Sequence, residues 1–143
     1  MKKILKQKLT NLAKKNLLFR NLFRKILYIY RYIIFKITTI GLKVDNKIVI
    51  FGCFGGKSYT CSPKAIYEYM LADNKYNDYT FIWSFKEPTK YEYLLKNKNT
   101  IIVKQASKRY YKYLAKAKYW IFNYKIAEHI YPKKNQVFLQ CWH

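Results

Sequence analysis

Apolar residues follow two different patterns along the chain, and the change falls near residue 45. Before that point they recur every three or four positions, or at about twice that spacing, as residues on one face of an α-helix do. These residues are Leu5, Leu9, Leu12, Phe19, Phe23 and Ile26. From Lys47 onward, short runs of β-branched and aromatic residues alternate with helical segments. The pattern therefore predicts two regions, an amphipathic segment over 1–44 and a domain over 45–143.

Five apolar runs of strand length predict the strands of this domain, and they cover 47–54, 79–85, 100–105, 118–123 and 136–142. Helices are predicted at 63–73 and 107–117, with a weaker helical or turn segment at 88–97. Ser62 is the expected N-cap of the first helix, with Pro63 in its first turn, and Ser107 opens the second. Such alternation of apolar strands and helices is typical of parallel sheets covered on both faces. We predict an α/β fold, a Rossmann-like parallel sheet preceded by a basic amphipathic helix.

The glycine-rich stretch 52–63 follows the first predicted strand, "GCFGGKSYTCSP". Gly56, Lys57 and Ser58 stand in the order found in the phosphate loop of nucleotide-hydrolysing enzymes, but that loop needs another glycine where position 51 is Phe. Loop length sets how backbone N–H groups converge on a phosphate, so the sequence disfavours that loop. Ligands of parallel sheets bind at the carboxyl ends of the strands, and a following helix N-terminus favours anions. We expect the stretch to lie at such an edge.

The charge of the chain predicts anionic partners. It carries 29 Lys and Arg against 7 Asp and Glu, a formal charge of +22, which suits phosphate-bearing substrates, an acidic membrane surface or nucleic acid. The first 44 residues hold 12 of the basic residues and no acidic one.

Arg31 and Lys36 interrupt the apolar run at 26–42, so no transmembrane helix is predicted, and no secretory signal is evident.

We expect the basic segment to lie in the plane of an anionic membrane surface. The alternative is a helix that packs its apolar stripe on the domain and leaves its lysines in solvent. The residues predicted to contact the membrane are Lys2, Lys3, Lys6, Lys14, Lys15, Arg20, Phe23, Arg24 and Lys25.

The cysteines and histidines do not indicate a metal site. Cys53, Cys61 and Cys141 are an odd number without CxxC spacing, and only His129 and His143 could join them as ligands. We expect free thiols in a reducing cytosol, with no metal and no cofactor. His129 lies away from the predicted ligand edge and is expected to be structural or exposed.

Several motifs in fixed order resemble the N-terminal part of the CDP-glycerol glycerophosphotransferases, the polymerases and primases that build teichoic acids. The motifs are "FGGKSY", "SPKAIYEYM", "YTFIWSF", "ASKRYYKYLAKAKYWIFNY" and "QVFLQCWH", and the likeness covers about residues 44–143. The resemblance implies the N-terminal half of a GT-B-type glycosyltransferase fold, held peripherally at the cytoplasmic face of the plasma membrane. It also implies transfer of glycerol phosphate from CDP-glycerol to a membrane-bound, lipid-linked glycerol-phosphate acceptor, with CMP as the leaving group.

The resemblance also implies roles for particular residues. The family's Trp-His-Gly-Thr-Pro motif places its catalytic base at His143, and an imidazole that titrates near neutral pH suits removal of a hydroxyl proton. The loop residues implied to bind the acceptor are Gly55, Gly56, Lys57, Ser58 and Tyr59. A solvated loop lysine is an equal alternative for Lys57, and Ser58 and Tyr59 alternatively order the turn and cover the edge of the core.

Two positions depart from the family pattern, because Gly52 stands where an acidic residue is frequent and Cys61 where Asp is frequent. The sequence stops at His143, before Gly-Thr-Pro and the domain that carries the CDP-glycerol site. We therefore expect this chain to be a fragment without transfer activity of its own, with CDP-glycerol a partner only of the full-length protein.

Two other functions stay open at this point. One is a non-catalytic basic module that binds an anionic polymer or nucleic acid. The segment 108–120 mixes basic and aromatic residues as single-strand binders do, but its helical spacing favours a half-buried helix face, so no nucleic acid is expected. The other is a transferase of the same family that moves ribitol phosphate or a sugar phosphate.

Overall fold

A five-stranded parallel sheet forms the centre of the computed structural model, which describes residues 4, 7, 8, 11 and 16–142. The strands are β1 (Asp45–Gly52), β2 (Thr80–Phe85), β3 (Thr100–Lys104), β4 (Ala117–Phe122) and β5 (Val137–Gln140). Their spatial order is β3-β2-β1-β4-β5, and every neighbouring pair is parallel. The central strand β1 comes first in the sequence, β2 and β3 extend the sheet on one side of it, and β4 and β5 extend it on the other, so the direction of winding reverses between β3 and β4. The predicted α/β fold is confirmed.

Within residues 16–142, three helices and two 3₁₀ segments connect or precede the strands: α1 (Leu17–Thr39), α2 (Cys61–Ala72) and α3 (Lys108–Lys116), with 3₁₀ helices at Asn74–Tyr76 and Pro88–Lys96. Ser107 caps α3 as predicted, because its side chain accepts from Tyr110 N at 3.1 Å. The predicted cap of α2 was wrong. That helix begins at Cys61, so Ser62 lies inside its first turn, and the preceding Thr60 makes no side-chain capping bond.

Alternate residues of the strands point to opposite faces of the sheet, and each face is covered by a separate apolar cluster. On one face α2 and the second 3₁₀ helix pack on the strands, with Val49, Phe51, Phe81, Trp83, Tyr67 and Leu94 buried between them. On the other face α1 and α3 do so, with Ile50, Ile82, Trp120, Phe35, Tyr110, Tyr111 and Leu114 buried. The tyrosines of α3 thus belong to the core, as the helical spacing of 108–120 predicted.

Part of one face of α1 packs on the domain around a buried histidine. Phe35 contacts Tyr111 edge to face, with ring centroids 5.7 Å apart, and its ring also lies against His129. Nε2 of His129 lies 3.3 Å from the Tyr111 hydroxyl. Burial, with a smaller contribution from nearby Arg31, lowers the pKa of His129, which favours the neutral imidazole. His129 is therefore structural, and it joins α1 to α3.

Side chains from the strand region close the C-terminal end of α3, where the last carbonyl groups have no donor within the helix. Nε2 of Gln136 donates to Leu114 O and to Ala117 O, each at 2.7 Å, and Nε1 of Trp120 donates to Leu114 O at 2.9 Å. Gln136 is buried, so water cannot easily replace it.

We expect Gln136→Leu to lower the free energy of unfolding by about 1–3 kcal/mol, because it removes the donors but keeps most of the side-chain volume. Urea denaturation followed by circular dichroism measures this. Gln140→Leu makes the same chemical change at an exposed position of β5 and should cost less than about 0.5 kcal/mol. Equal losses in the two variants would contradict the capping role of Gln136.

Candidate functional site

The loop after β1 folds back over the carboxyl edge of the sheet and is held there by backbone hydrogen bonds. Gly56 N and Lys57 N donate to Cys53 O at 2.9 and 3.2 Å. Lys86 N, directly after β2, donates to Gly56 O at 2.7 Å. Gly55 and Gly56 have φ angles of 65° and 75°, a left-handed conformation that glycine adopts without strain. The predicted loop residues therefore lie at the edge where such sheets bind ligands.

Two glycines of this edge are in close contact with other chain segments. A Cβ at Gly56 would lie 2.8 Å from Oε1 of Gln105 and 3.0 Å from Lys86 N. A Cβ at Gly52 would lie 2.5 Å from the Phe122 ring. Any side chain at Gly52 would therefore require the ring to move.

A cleft of about 310 Å³ opens between this loop and the loop after β2, lined by Gly56, Lys57, Lys86, Glu87, Lys90 and Tyr91. The hydroxyl of Tyr91 donates to Lys57 O at 2.7 Å, and its ring stacks on Phe85 with centroids 3.8 Å apart. Lys90 pairs with Glu87 at 2.8 Å. Of these lining residues, the sequence indicated Gly56 and Lys57. Lys86 could have been found from its position directly after a predicted strand, since parallel strands end at a common edge.

Ser58 and Tyr59 point inward, away from this cleft. The Ser58 hydroxyl is buried beside the Cys53 thiol. The hydroxyl of Tyr59 donates to Oε1 of Glu68 at 2.9 Å, and its ring lies edge-on to Trp83, 5.0 Å between centroids. Burial and the Glu68 carboxylate raise the pKa of Tyr59. The contacts of Tyr59 support the alternative in which this residue covers the edge of the core, and the burial of the Ser58 hydroxyl supports the same role for Ser58.

Asn123 connects the end of β4 to the loop after β1. Its Oδ1 accepts from Phe54 N at 2.8 Å, and its Nδ2 donates to Sγ of Cys53 at 3.1 Å. The Cys53 thiol donates in turn to Thr60 O at 3.2 Å. Burial raises the pKa of Cys53, so this thiol is protonated at neutral pH and serves as a hydrogen-bonding core group.

The chain leaves β5 at the same edge. Cys141 N donates to Phe122 O at 2.7 Å, which holds the end of β5 to the end of β4, and Trp142 is 88% exposed. His143, the predicted base, lies outside the described residues.

All three cysteines are free, as predicted. Among the residues that the structure describes, no group of three or more His, Cys, Asp or Glu side chains is placed to hold a metal ion.

The outer face of α1 forms a second candidate surface, an apolar stripe that the domain does not cover. Its residues recur every three or four positions and are 46–81% exposed: Leu18, Leu22, Ile26, Ile29, Ile33, Ile37 and Ile40. Of the residues predicted to contact a membrane, Arg20, Arg24 and Lys25 are exposed on α1 and Phe23 is half-buried. Lys2, Lys3, Lys6, Lys14 and Lys15 lie outside the described residues. Within the described part of the chain, no helix combines the length and the apolar character needed to cross a membrane.

The two neighbouring glycines of the loop provide a matched test of its close packing. Gly55→Ala places a methyl group in open space and should cost about 1 kcal/mol of stability, from the left-handed backbone alone. Gly56→Ala adds a steric clash with Lys86 N and should cost about 1–3 kcal/mol more. Urea denaturation of both variants measures the difference. Equal costs would show that the backbone of residue 56 is not packed against Lys86.

Comparison with known proteins gives a consistent family. The model of the family described as CDP-Glycerol:Poly(glycerophosphate) glycerophosphotransferase matches residues 33–143. A teichoic acid poly(glycerol phosphate) polymerase of Staphylococcus epidermidis is 38% identical over 109 residues, which are 71% of this chain and 14% of that protein. The polymerase of the same name from Bacillus spizizenii is 31% identical over 125 residues, which are 83% of this chain and 31% of that protein.

Solved structures show the same similarity. A variant of the wall teichoic acid polymerase TagF matches with a TM-score of 0.65 and 32% identity, over 95% of this chain and 31% of that one. A TagF variant soaked with CDPG also matches, with a TM-score of 0.65 and 31% identity, over 99% of this chain and 32% of that one. The chain thus spans less than a third of the length of these relatives. It belongs to the CDP-glycerol:poly(glycerophosphate) glycerophosphotransferase family of teichoic acid polymerases.

Proposed function

We propose that this chain forms the acceptor-binding side of a glycerophosphotransferase in teichoic acid synthesis, acting on a lipid-linked chain of glycerol phosphates. The observation that supports this most directly is the position of Lys57, on a rigid loop at the carboxyl edge and facing a cleft. An ammonium group there would neutralise a phosphate of the acceptor. In the full-length protein the donor would be CDP-glycerol, in line with the TagF structure soaked with CDPG.

In the proposed reaction, a terminal hydroxyl of the acceptor attacks the β-phosphorus of CDP-glycerol. A new oxygen–phosphorus bond forms, the bond from the β-phosphorus to the bridging oxygen breaks, and CMP leaves with the electron pair. The hydroxyl proton passes to a base, which we assign to His143 because a neutral imidazole accepts a proton near neutral pH. Release of CMP that persists after His143→Asn, in a protein that includes the donor site, would overturn this assignment.

The acceptor role is tested by calorimetric titration with a synthetic glycerol phosphate oligomer. We expect the chain to bind it, and Lys57→Gln to weaken the affinity about threefold to fivefold, the usual effect of one exposed charge pair. Lys98→Gln is the control, because it removes the same charge from an exposed residue before β3, at the opposite edge of the sheet. A wild-type chain that does not bind the oligomer would contradict the proposal.

We further propose that α1 holds the protein on the anionic cytoplasmic leaflet of the plasma membrane. The apolar stripe faces away from the domain, and the exposed basic residue Lys25 lies beside it. This arrangement is typical of helices that lie in the membrane interface, where apolar burial and attraction to anionic lipids add together.

A single substitution on the stripe separates membrane binding from folding. Ile33→Asp removes one apolar contact from the bilayer and adds a charge that anionic lipids repel, so we expect vesicle affinity to fall at least about tenfold. Co-sedimentation with phosphatidylglycerol vesicles measures this. Leu95→Asp is the control, because Leu95 is similarly exposed, at 52% against 47%, but lies in the 3₁₀ helix on the other face of the sheet. Equal effects of the two substitutions would contradict docking through α1.

A further inference from the structure

We infer that the cleft between the loops after β1 and β2 is a subsite for an internal phosphate of the acceptor, formed by Lys57 and Lys86 with Lys90 beside them. The inference rests on the proposed acceptor function and extends it. The site would bind a phosphodiester within the acceptor chain, away from the hydroxyl that reacts. The protein would therefore recognise its acceptor as a polymer.

The walls of this cleft are fixed before any ligand binds. The hydrogen bond from Lys86 N to Gly56 O joins one wall to the other at 2.7 Å. The Tyr91 hydroxyl holds Lys57 O at 2.7 Å, and stacking on Phe85 fixes the Tyr91 ring. Both lysines are therefore anchored through their backbones, so binding would require ordering of the side chains alone.

The charges of the cleft favour an anion. Three of its lining residues are lysines and one is a glutamate. Glu87 is paired with Lys90, at 2.8 Å. Within residues 16–142 neither Lys57 nor Lys86 forms an ion pair, and both are exposed. Ammonium groups are compact point charges on flexible stems, which suits the oxygens of a phosphodiester.

The position of the cleft relative to β5 indicates which phosphate it would hold. The cleft lies beyond the ends of β1 and β2, and β5 is three strands from β2 in the sheet order. Neighbouring strands lie about 4.8 Å apart, so the separation is roughly 14 Å. One glycerol phosphate repeat contains six chain bonds, as many as two residues of a strand, and therefore spans up to about 7 Å. A chain whose reacting hydroxyl lies at the end of β5 would thus place a phosphate about two repeats upstream in the cleft.

The test compares glycerol 3-phosphate with a synthetic glycerol phosphate tetramer by calorimetric titration of the whole chain. We expect the tetramer to bind at least about tenfold more tightly, and Lys86→Gln to reduce its affinity about fivefold, an upper value for one exposed charge pair. In the Lys86→Gln variant, the slope of log affinity against log salt concentration should be smaller by about one than in the wild type. Lys86→Arg should restore tetramer binding, and Lys98→Gln should behave as wild type. Thermal unfolding checks that Lys86→Gln remains folded.

The outcomes separate this inference from the proposed function. If Lys57→Gln weakens tetramer binding but Lys86→Gln matches Lys98→Gln, the two-lysine subsite is wrong and the acceptor function stands. If the wild-type chain binds neither glycerol 3-phosphate nor the tetramer, the subsite and the proposed acceptor function are both wrong. Equal affinities for glycerol 3-phosphate and the tetramer would overturn recognition of an internal phosphate. A single-stranded oligonucleotide with the same number of phosphates, bound as tightly and with the same dependence on Lys86, would overturn specificity for the acceptor chain.

Discussion

Parallel pairing of all five strands determines where the connecting segments of the chain can lie. Every strand ends at the same edge, so the segments after β1, β2, β4 and β5 meet there although they are far apart in sequence. Each connection must cross a face of the sheet, and the crossing segments bury both faces. The interior strands can therefore be apolar on both sides, as Val49 and Ile50 illustrate, and polar side chains are available for function at the edge.

The segments at this edge are held together by backbone contacts and one buried amide. Gly56 accepts the hydrogen bond of Lys86 at a distance that leaves no room for a Cβ, and Asn123 satisfies Phe54 N and the Cys53 thiol at once. Because a buried polar group without a partner is costly, each of these contacts restricts the others. The resulting edge is rigid in its backbone, while Lys57 and Lys86 remain free to meet an anion.

Helix α1 has two apolar faces with different surroundings. One packs on the domain through Phe35, beside the neutral His129 and the Tyr111 hydroxyl. The other is an exposed stripe that includes Ile29 and Ile33. The helix was expected either to lie on a membrane or to pack on the domain. Its geometry is compatible with both, since an α-helix of several turns has distinct faces that can have different surroundings.

The α/β class, the positions of the strands to within a few residues, the basic helix and the family could all be predicted from the amino-acid sequence. These features depend on local periodicity, charge and ordered motifs, which can be read without knowing the fold. The three-dimensional structure was needed to show that Ser58 and Tyr59 turn towards the core while Lys57 lines a cleft with Lys86. The orientation of these side chains depends on contacts between segments distant in sequence, such as Tyr59 with Trp83. It also depends on the side of the loop that the neighbouring strand occupies. The cap of α2 was misplaced for the same reason, because the helix begins where the packed loop allows and not where the best capping residue stands.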